Sequence, residues 1–352
     1  MKVAIAAIGA RTAVGYTASQ SAAAVRAGLA NFNASPFLVD GRGDPMVLAQ
    51  APGIAAVPDA CEHLTGLALA ALEDLAGTLP GNCRRSPVPL LLALPAPRPG
   101  LPADYPERVR AALWARAPVF LSLSDIETFD TGHAAGLLAI GRGIELLRQG
   151  QPLVLVAAAD SWLQVDTLEW LDHHSRLHSP SMAWGFVPGE AGAACLLGTP
   201  QTCRRLGQPC LALIESVAGA AEPAALDAAA PCTGAGLTAA LQAVLDPLPP
   251  GTAAVGAIYC DLNGERHRAD EAGFALVRTS EYLRDPGNLV SPADCWGDIG
   301  AASGLLLASL PIAAALRGYT SARRALLWCS SDGPERAAAL LATGTAMEPT
   351  GR

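Results

Sequence analysis

A histidine stands at the entrance of an apolar run in TFDTGHAAGLLAIGRGIELLRQG, residues 128–150. A helix N-terminus stabilises anions and disfavours an imidazolium, so His133 is expected to be neutral there unless a carboxylate lies close enough to offset the field. Neighbouring hydroxyls at Ser124, Thr128 and Thr131 have no evident base in register and do not read as nucleophiles. A second histidine cluster, HHSRLH (His173, His174, His178), holds half of the 6 histidines. It lies before Pro180 without a carboxylate and cysteine framework, so it reads as a solvated loop rather than a metal site. The 9 cysteines are odd in number and scattered, which fits reduced thiols of a cytoplasmic protein. Cys203 and Cys210 lack zinc-type spacing.

These groups need a scaffold, and the composition supplies one. The chain has 352 residues, 51% hydrophobic and 16% charged, with 35 Gly and 28 Pro as frequent punctuation. That suits a folded α/β body with many short connections. The 24 Lys+Arg against 32 Asp+Glu leave a net charge of −8, which argues against nucleic acid as a partner. The start, MKVAIAAIGARTAVG, breaks at Gly9 and Arg11 and reads as a strand rather than a signal peptide. The apolar stretch 301–316 is interrupted by Ser303 and Pro311, so no membrane span is expected.

Periodicity predicts strands at 2–8, 88–94 and 153–161 and helices at 19–29, 61–79, 103–117 and from 132 to 149, the last closed by Gly150. The run LVLVAAADS is too short for a buried helix and typical of a strand covered on both faces. A second βα series predicts strands at 210–217, 253–259 and 325–329, the last of the chain, and helices at 236–245, 270–279 and 299–317. The similar rhythm of the two series suggests duplication, with halves at 1–205 and 206–352 forming one compact body.

Several segments together resemble the β-ketoacyl synthase branch of the thiolase superfamily. VAIAAIGARTAVGYTASQSAAAVRAG is similar to the family's first strand, turn and helix. GHAAGLLAIGRGIELLRQGQPLVLVAAADSWL resembles its nucleophile helix and following strand, GFVPGEAGAACLL its glycine-rich segment, and WGDIGAASGLLLA a late loop and helix. The resemblance implies the thiolase-like αβαβα fold, a homodimer or a heterodimer of related chains, acyl carrier protein as an admissible partner, and no cofactor or metal.

The chemistry departs from that pattern. Family enzymes place a cysteine at the helix entrance, and counting back from Arg148 puts His133 there. The family's first histidine is replaced by Asp261, followed by Asn263, Gly264 and Glu265; its lysine and second histidine are replaced by Ala293 and Asp298. Its glycine-rich gate becomes CSSDGPER, residues 329–336. Removing the nucleophile removes the covalent mechanism, and removing a transition-state donor costs about 10²–10³ in rate. In this register His133, Asp261 and Asp298 converge, with His267, Asp270 and Glu271 near in sequence. They plug an abandoned tunnel as hydrogen-bonded polar residues, or form a general base or metal site. Glu190, in PGEAG, is expected to fix backbone N–H groups.

The reading favoured by these substitutions is a catalytically silent protein acting through protein contacts, as an adaptor or accessory factor of the kind found with type VI secretion effectors. Two alternatives stay open. One is a chain-length-factor-like subunit paired with an active synthase through a strand near 120–130, in FLSLSDIETFD. The other is a thioester hydrolase or acyltransferase using His133.

Overall fold

The computed structural model describes residues 1–344 except 56, 120 and 321, and the backbone alone of 118. The chain opens with β1 (Val3–Thr12) and α1 (Ala18–Arg26), then a two-stranded hairpin, β2 (Asn33–Val39) and β3 (Pro45–Leu48). There follow α2 (Ala60–Gly77), α3 (Gly81–Arg85), β4 (Val88–Ala93), α4 (Tyr105–Arg116), β5 (Leu123–Phe129), α5 (Ala135–Arg148), β6 (Leu153–Ser161), α6 (Val165–His173), β7 (Glu190–Gly198) and α7 (Pro200–Arg205). The second series is β8 (Ala212–Ala221), α8 (Ala235–Leu245), β9 (Ala257–Cys260), α9 (Arg266–Thr279), β10 (Leu289–Val290), α10 (Ala293–Trp296), α11 (Ser303–Leu316), β11 (Arg324–Ser330) and β12 (Glu335–Ala342).

Ten strands pair in the order β10-β9-β11-β12-β8-β1-β7-β6-β4-β5. Counted within each series, the two halves of this order are the same: third, second, fourth, fifth, first. In each, the fifth strand alone runs antiparallel to its neighbours. The halves meet where Val3, Ala4 and Ile5 pair with Ile214, Leu213 and Ala212. Helices α1, α5 and α11 lie in the central layer, α2 and α4 cover one outer face, and α8 and α9 the other. This is the thiolase-like αβαβα arrangement. Strands β4, β6 and β7 are buried along their whole length, which explains their near-continuous apolar sequences. Asp59 caps α2, accepting from the Cys61 and Glu62 N–H groups at 2.8 and 3.0 Å.

Several boundaries differ from the periodicity. β1 runs through Gly9 because α2 crosses it so closely that a Cβ there would lie 2.2 Å from the Ala71 carbonyl oxygen. The predicted 253–259 strand shrinks to β9, since Ala253 adopts a positive φ of 46° in the preceding loop. Helix α9 starts at Arg266, four residues before the expected start, and α11 is entered through a 3₁₀ turn, Gly300–Ala302. β11 is not the last strand: β12, ERAAALLA, is alanine-rich and lacks alternation because both of its faces are covered. The hairpin β2/β3 went unread. No helix among the described residues is long and apolar enough to cross a membrane.

Candidate functional site

Two matching turns build the centre of the molecule. Gly132–Ala134 leads into α5, and Gly300–Ala302 leads into α11 beside it. Gly132 has φ +77° and Gly300 φ +49°, conformations that a side chain resists. The first turn is pinned by Ser331, whose hydroxyl accepts from the Ala134 N–H at 3.0 Å and donates to the Thr131 carbonyl at 2.6 Å. The second is held by Asp160, which accepts from the Ala301 N–H at 2.8 Å and from Arg98 at 2.5 Å.

His133, only 2% exposed, projects from the first turn. Its Nε2 lies 2.9 and 3.0 Å from the two carboxylate oxygens of Asp298. Asp298 also accepts from the Trp162 indole at 3.0 Å, the Asn263 amide at 2.6 Å and the Gly300 N–H at 2.8 Å. Asp261 does not touch His133; Arg268 stands between them. The Arg268 guanidinium is 3.4 Å from the imidazole, 3.3 Å from Asp261 and 2.8 Å from Asp332, and it donates to the Ser330 carbonyl. Asp261 accepts from the Ser330 N–H at 2.8 Å. A second arginine, Arg176, closes the network with a fork onto Glu265 at 2.7 and 2.9 Å and a bond to Asp332 at 2.8 Å.

The electrostatics follow from this packing. Burial and Arg268 push the His133 pKa down, but Asp298 outweighs them and holds it above the ordinary histidine value. Burial raises Asp298, yet His133, Arg268 and the Gly300 N–H bring it far below the usual carboxylate range. Glu265 and Asp332 are likewise lowered by the arginines against burial. Asp261 goes the other way: burial raises it more than Arg268 and His133 lower it. When His133 carries its proton, Arg176, Arg268 and His133 balance Asp298, Glu265 and Asp332, and the cluster is neutral with Asp261 protonated. The carboxylate close enough to offset the field at the helix entrance is that of Asp298, which favours the protonated ring.

Imidazolium has donors only, so in this state His133 has no lone pair with which to accept a proton or bind a metal. The space left beside Cys260, Asp261, Asn263, Trp296 and Asp298 is a cavity of about 10 Å³, room for one water.

Other residues singled out from the sequence lie apart. Asp270 is exposed and faces Arg266 at 3.6 Å; Glu271 is buried against Arg336 at 2.6 Å. His267 sits at the rim, where burial and Arg268 push its pKa down to about 4. Its ligand atoms group with those of Glu265 and Asp332 within 4.8 Å, but the two arginines already engage both carboxylates. The similar group Glu222, Cys232 and Glu271 is committed too, Glu222 to the Gly236 N–H at 2.7 Å and Glu271 to Arg336. Ser124 is exposed on β5, and none of Ser124, Thr128 and Thr131 has a histidine partner among the described residues. Ala293 begins α10 and lines the small cavity.

Glu190 accepts from the Ala51 N–H at 3.0 Å, as expected of a residue that fixes backbone. It also bonds Ser161 at 2.8 Å and His63 at 2.6 Å, a buried pair the sequence did not signal. His173, His174 and His178 are exposed, but the loop is not simply solvated: Arg176 and Leu177, between them, are buried. The missed functional residues are Arg268, Arg176, Trp162 and Asp332. One signal existed, since Arg268 follows Asp261 and Glu265 by seven and three residues in an otherwise polar helix start.

No protein-family model matches the chain, and no curated protein matches it. Solved structures do. The ishigamide ketosynthase/chain length factor superposes with a TM-score of 0.72 at 21% identity, covering 98% of this chain and 100% of that one. A ketosynthase from module 6 of the bacillaene synthase of Bacillus subtilis 168 gives 0.81 at 14% identity, covering 99% and 73%. A type II polyketide synthase acyl-carrier protein in complex with its ketosynthase bound to the hexaketide gives 0.73 at 14%, covering 98% and 99%. The overall fold is thus the one these ketosynthase structures share.

Proposed function

We propose that this chain is a non-condensing, ketosynthase-like subunit that works through a protein partner. The observation that carries the reading is the ion pair of His133 with Asp298 at the helix entrance. Condensation needs a thiolate there and donors opposite it; the chain offers a cation already paired and two acids, with room for one water. The same arrangement counts against a hydrolase or acyltransferase with His133 as base, because its Nε2 is committed to Asp298. The repeated strand order supports a duplicated body whose halves meet near residue 205. The nine unpaired thiols fit a reducing compartment such as the cytoplasm.

Between an effector adaptor and a chain-length-factor-like subunit, the second has the more specific support. A neighbour matched along its entire length is a ketosynthase/chain length factor, and another was solved with an acyl-carrier protein. Strand β5 ends the sheet and leaves Ser124 and Asp125 exposed, an edge that a related chain can extend. The test is co-expression with a type II ketosynthase and its acyl-carrier protein. The expected result is a heterodimer that condenses malonyl units only when the partner's nucleophile is intact. A chain that stays unassociated, or that alone turns over acyl thioesters and loses this in His133→Ala, overturns the reading.

A further inference from the structure

Outside this network, α1, the last turns of α11, the edge strand β10 and its neighbour β9 line a groove of about 450 Å³, within the size range of small-molecule pockets. Its body is apolar, from Ala22, Ile258, Val290, Leu310 and Ala313. Arg26 and Arg317 stand in its wall, and no aspartate or glutamate lines it, in a chain whose net charge is −8. Neither arginine is in an ion pair among the described residues; Arg26 lies over the Tyr319 ring at 4.9 Å. Each sits at a helix C-terminus, which favours a cation there but leaves the guanidinium donors unspent.

The wall also carries the largely buried ring of Tyr259, whose hydroxyl is a further donor at the groove. We propose that this groove binds an anionic amphiphile, a short alkyl chain ending in a carboxylate or phosphate. The chain would lie along Ala22, Ile258 and Leu310, and the anion would take the donors of Arg26, Arg317 and Tyr259. The site is separate from the His133 network and does not depend on the reading of that network.

Calorimetric titration of the full chain tests this with sodium octanoate, octyl phosphate, 1-octanol and inorganic phosphate. At least one of the two anionic amphiphiles should bind tenfold or more tighter than both octanol and inorganic phosphate, and the preference between them assigns the headgroup. The Arg26→Ala/Arg317→Ala variant, altered only at exposed side chains, should lose at least tenfold in affinity at unchanged Tm. Arg110→Ala, on the distant α4, should match the parent. Ala313→Phe, which fills the groove, should abolish binding. Octanol binding as tightly as octanoate and octyl phosphate, no heat from either anionic amphiphile at millimolar concentration, or affinity unmoved by the double variant would each overturn the proposal.

Discussion

Replacing Asp298 by asparagine interrogates the network at its most connected point. The carboxylate accepts from His133, Trp162, Asn263 and Gly300. An amide keeps one oxygen, which can still serve Trp162 and Gly300. Its NH₂ group would then face two donors: the Asn263 amide, now 2.6 Å from Oδ2, and the protonated His133 ring. Breaking a buried ion pair by removing one partner costs about 3–5 kcal/mol, and the loss should fall in that range. For a chain of this size it lowers Tm by roughly 4–7 °C. The pH dependence supplies a second, independent readout. His133 is held above its ordinary value in the folded state, so its contribution is complete below the unfolded value, about 6.5. That contribution is lost as pH rises through the folded value. Urea unfolding across pH 6 to 9 should show the parent losing stability toward alkaline pH and Asp298→Asn following a flatter curve, because the charge that raises His133 is gone. Asp270→Asn, at an exposed pair, should cost about 0.5 kcal/mol or less. A cost under about 1 kcal/mol for Asp298→Asn, well below the range for a broken buried pair, or a parallel pH profile, would refute the paired imidazolium.

Other expectations follow from single contacts. Gly300→Ala should unfold the chain well below the parent Tm, because its Cβ would lie 1.9 Å from Asp160 Oδ2; Gly318→Ala, at a positive φ with nothing within 4 Å, should cost only about 1 kcal/mol. Thiol titration of the native protein at pH 8 should label Cys210 and Cys232 first, since burial pushes Cys195 and Cys260 up to about 12; uniform labelling of all nine before unfolding would contradict the packing. His133→Cys should form no acyl-enzyme by intact mass with acyl thioesters, because a thiolate at that buried position would face the Asp298 carboxylate, which raises its pKa.

The frame was readable because it rests on local pattern. The limits of β6 match the run LVLVAAADS, and α5 stops where Gly150 takes φ +103°. β12 was not readable, since alanine-rich residues buried on both faces show neither a period of 2 nor one of 3.6. At the site, the position of His133 could be counted along its own helix, and its closeness to Asp298 followed from the fold. The arginines could not be foreseen in the same way. Arg176 lies in a loop that its three exposed histidines made look solvated, and it meets Glu265 and Asp332 from 89 and 156 residues away. Arg268 escaped because α9 begins earlier than its apolar pattern.

The charged residues at this site depend on one another physically. The buried carboxylates of Asp298 and Glu265, with Asp332 beside them, would by themselves be uncompensated charges, which a folded chain does not tolerate. Cations must enter, and they do so from two elements: α9 brings Arg268 against Asp261, and the loop after α6 brings Arg176 against Glu265 and Asp332. His133, when protonated, completes the balance against Asp298. The turn at Gly132 keeps its geometry throughout, because Ser331 and the adjoining α11 entrance hold it independently of what stands at 133. A frame fixed by backbone and a centre fixed by charge can therefore part company. Replacing His133 by a thiol removes the cation that faces Asp298 while leaving the turn itself in place.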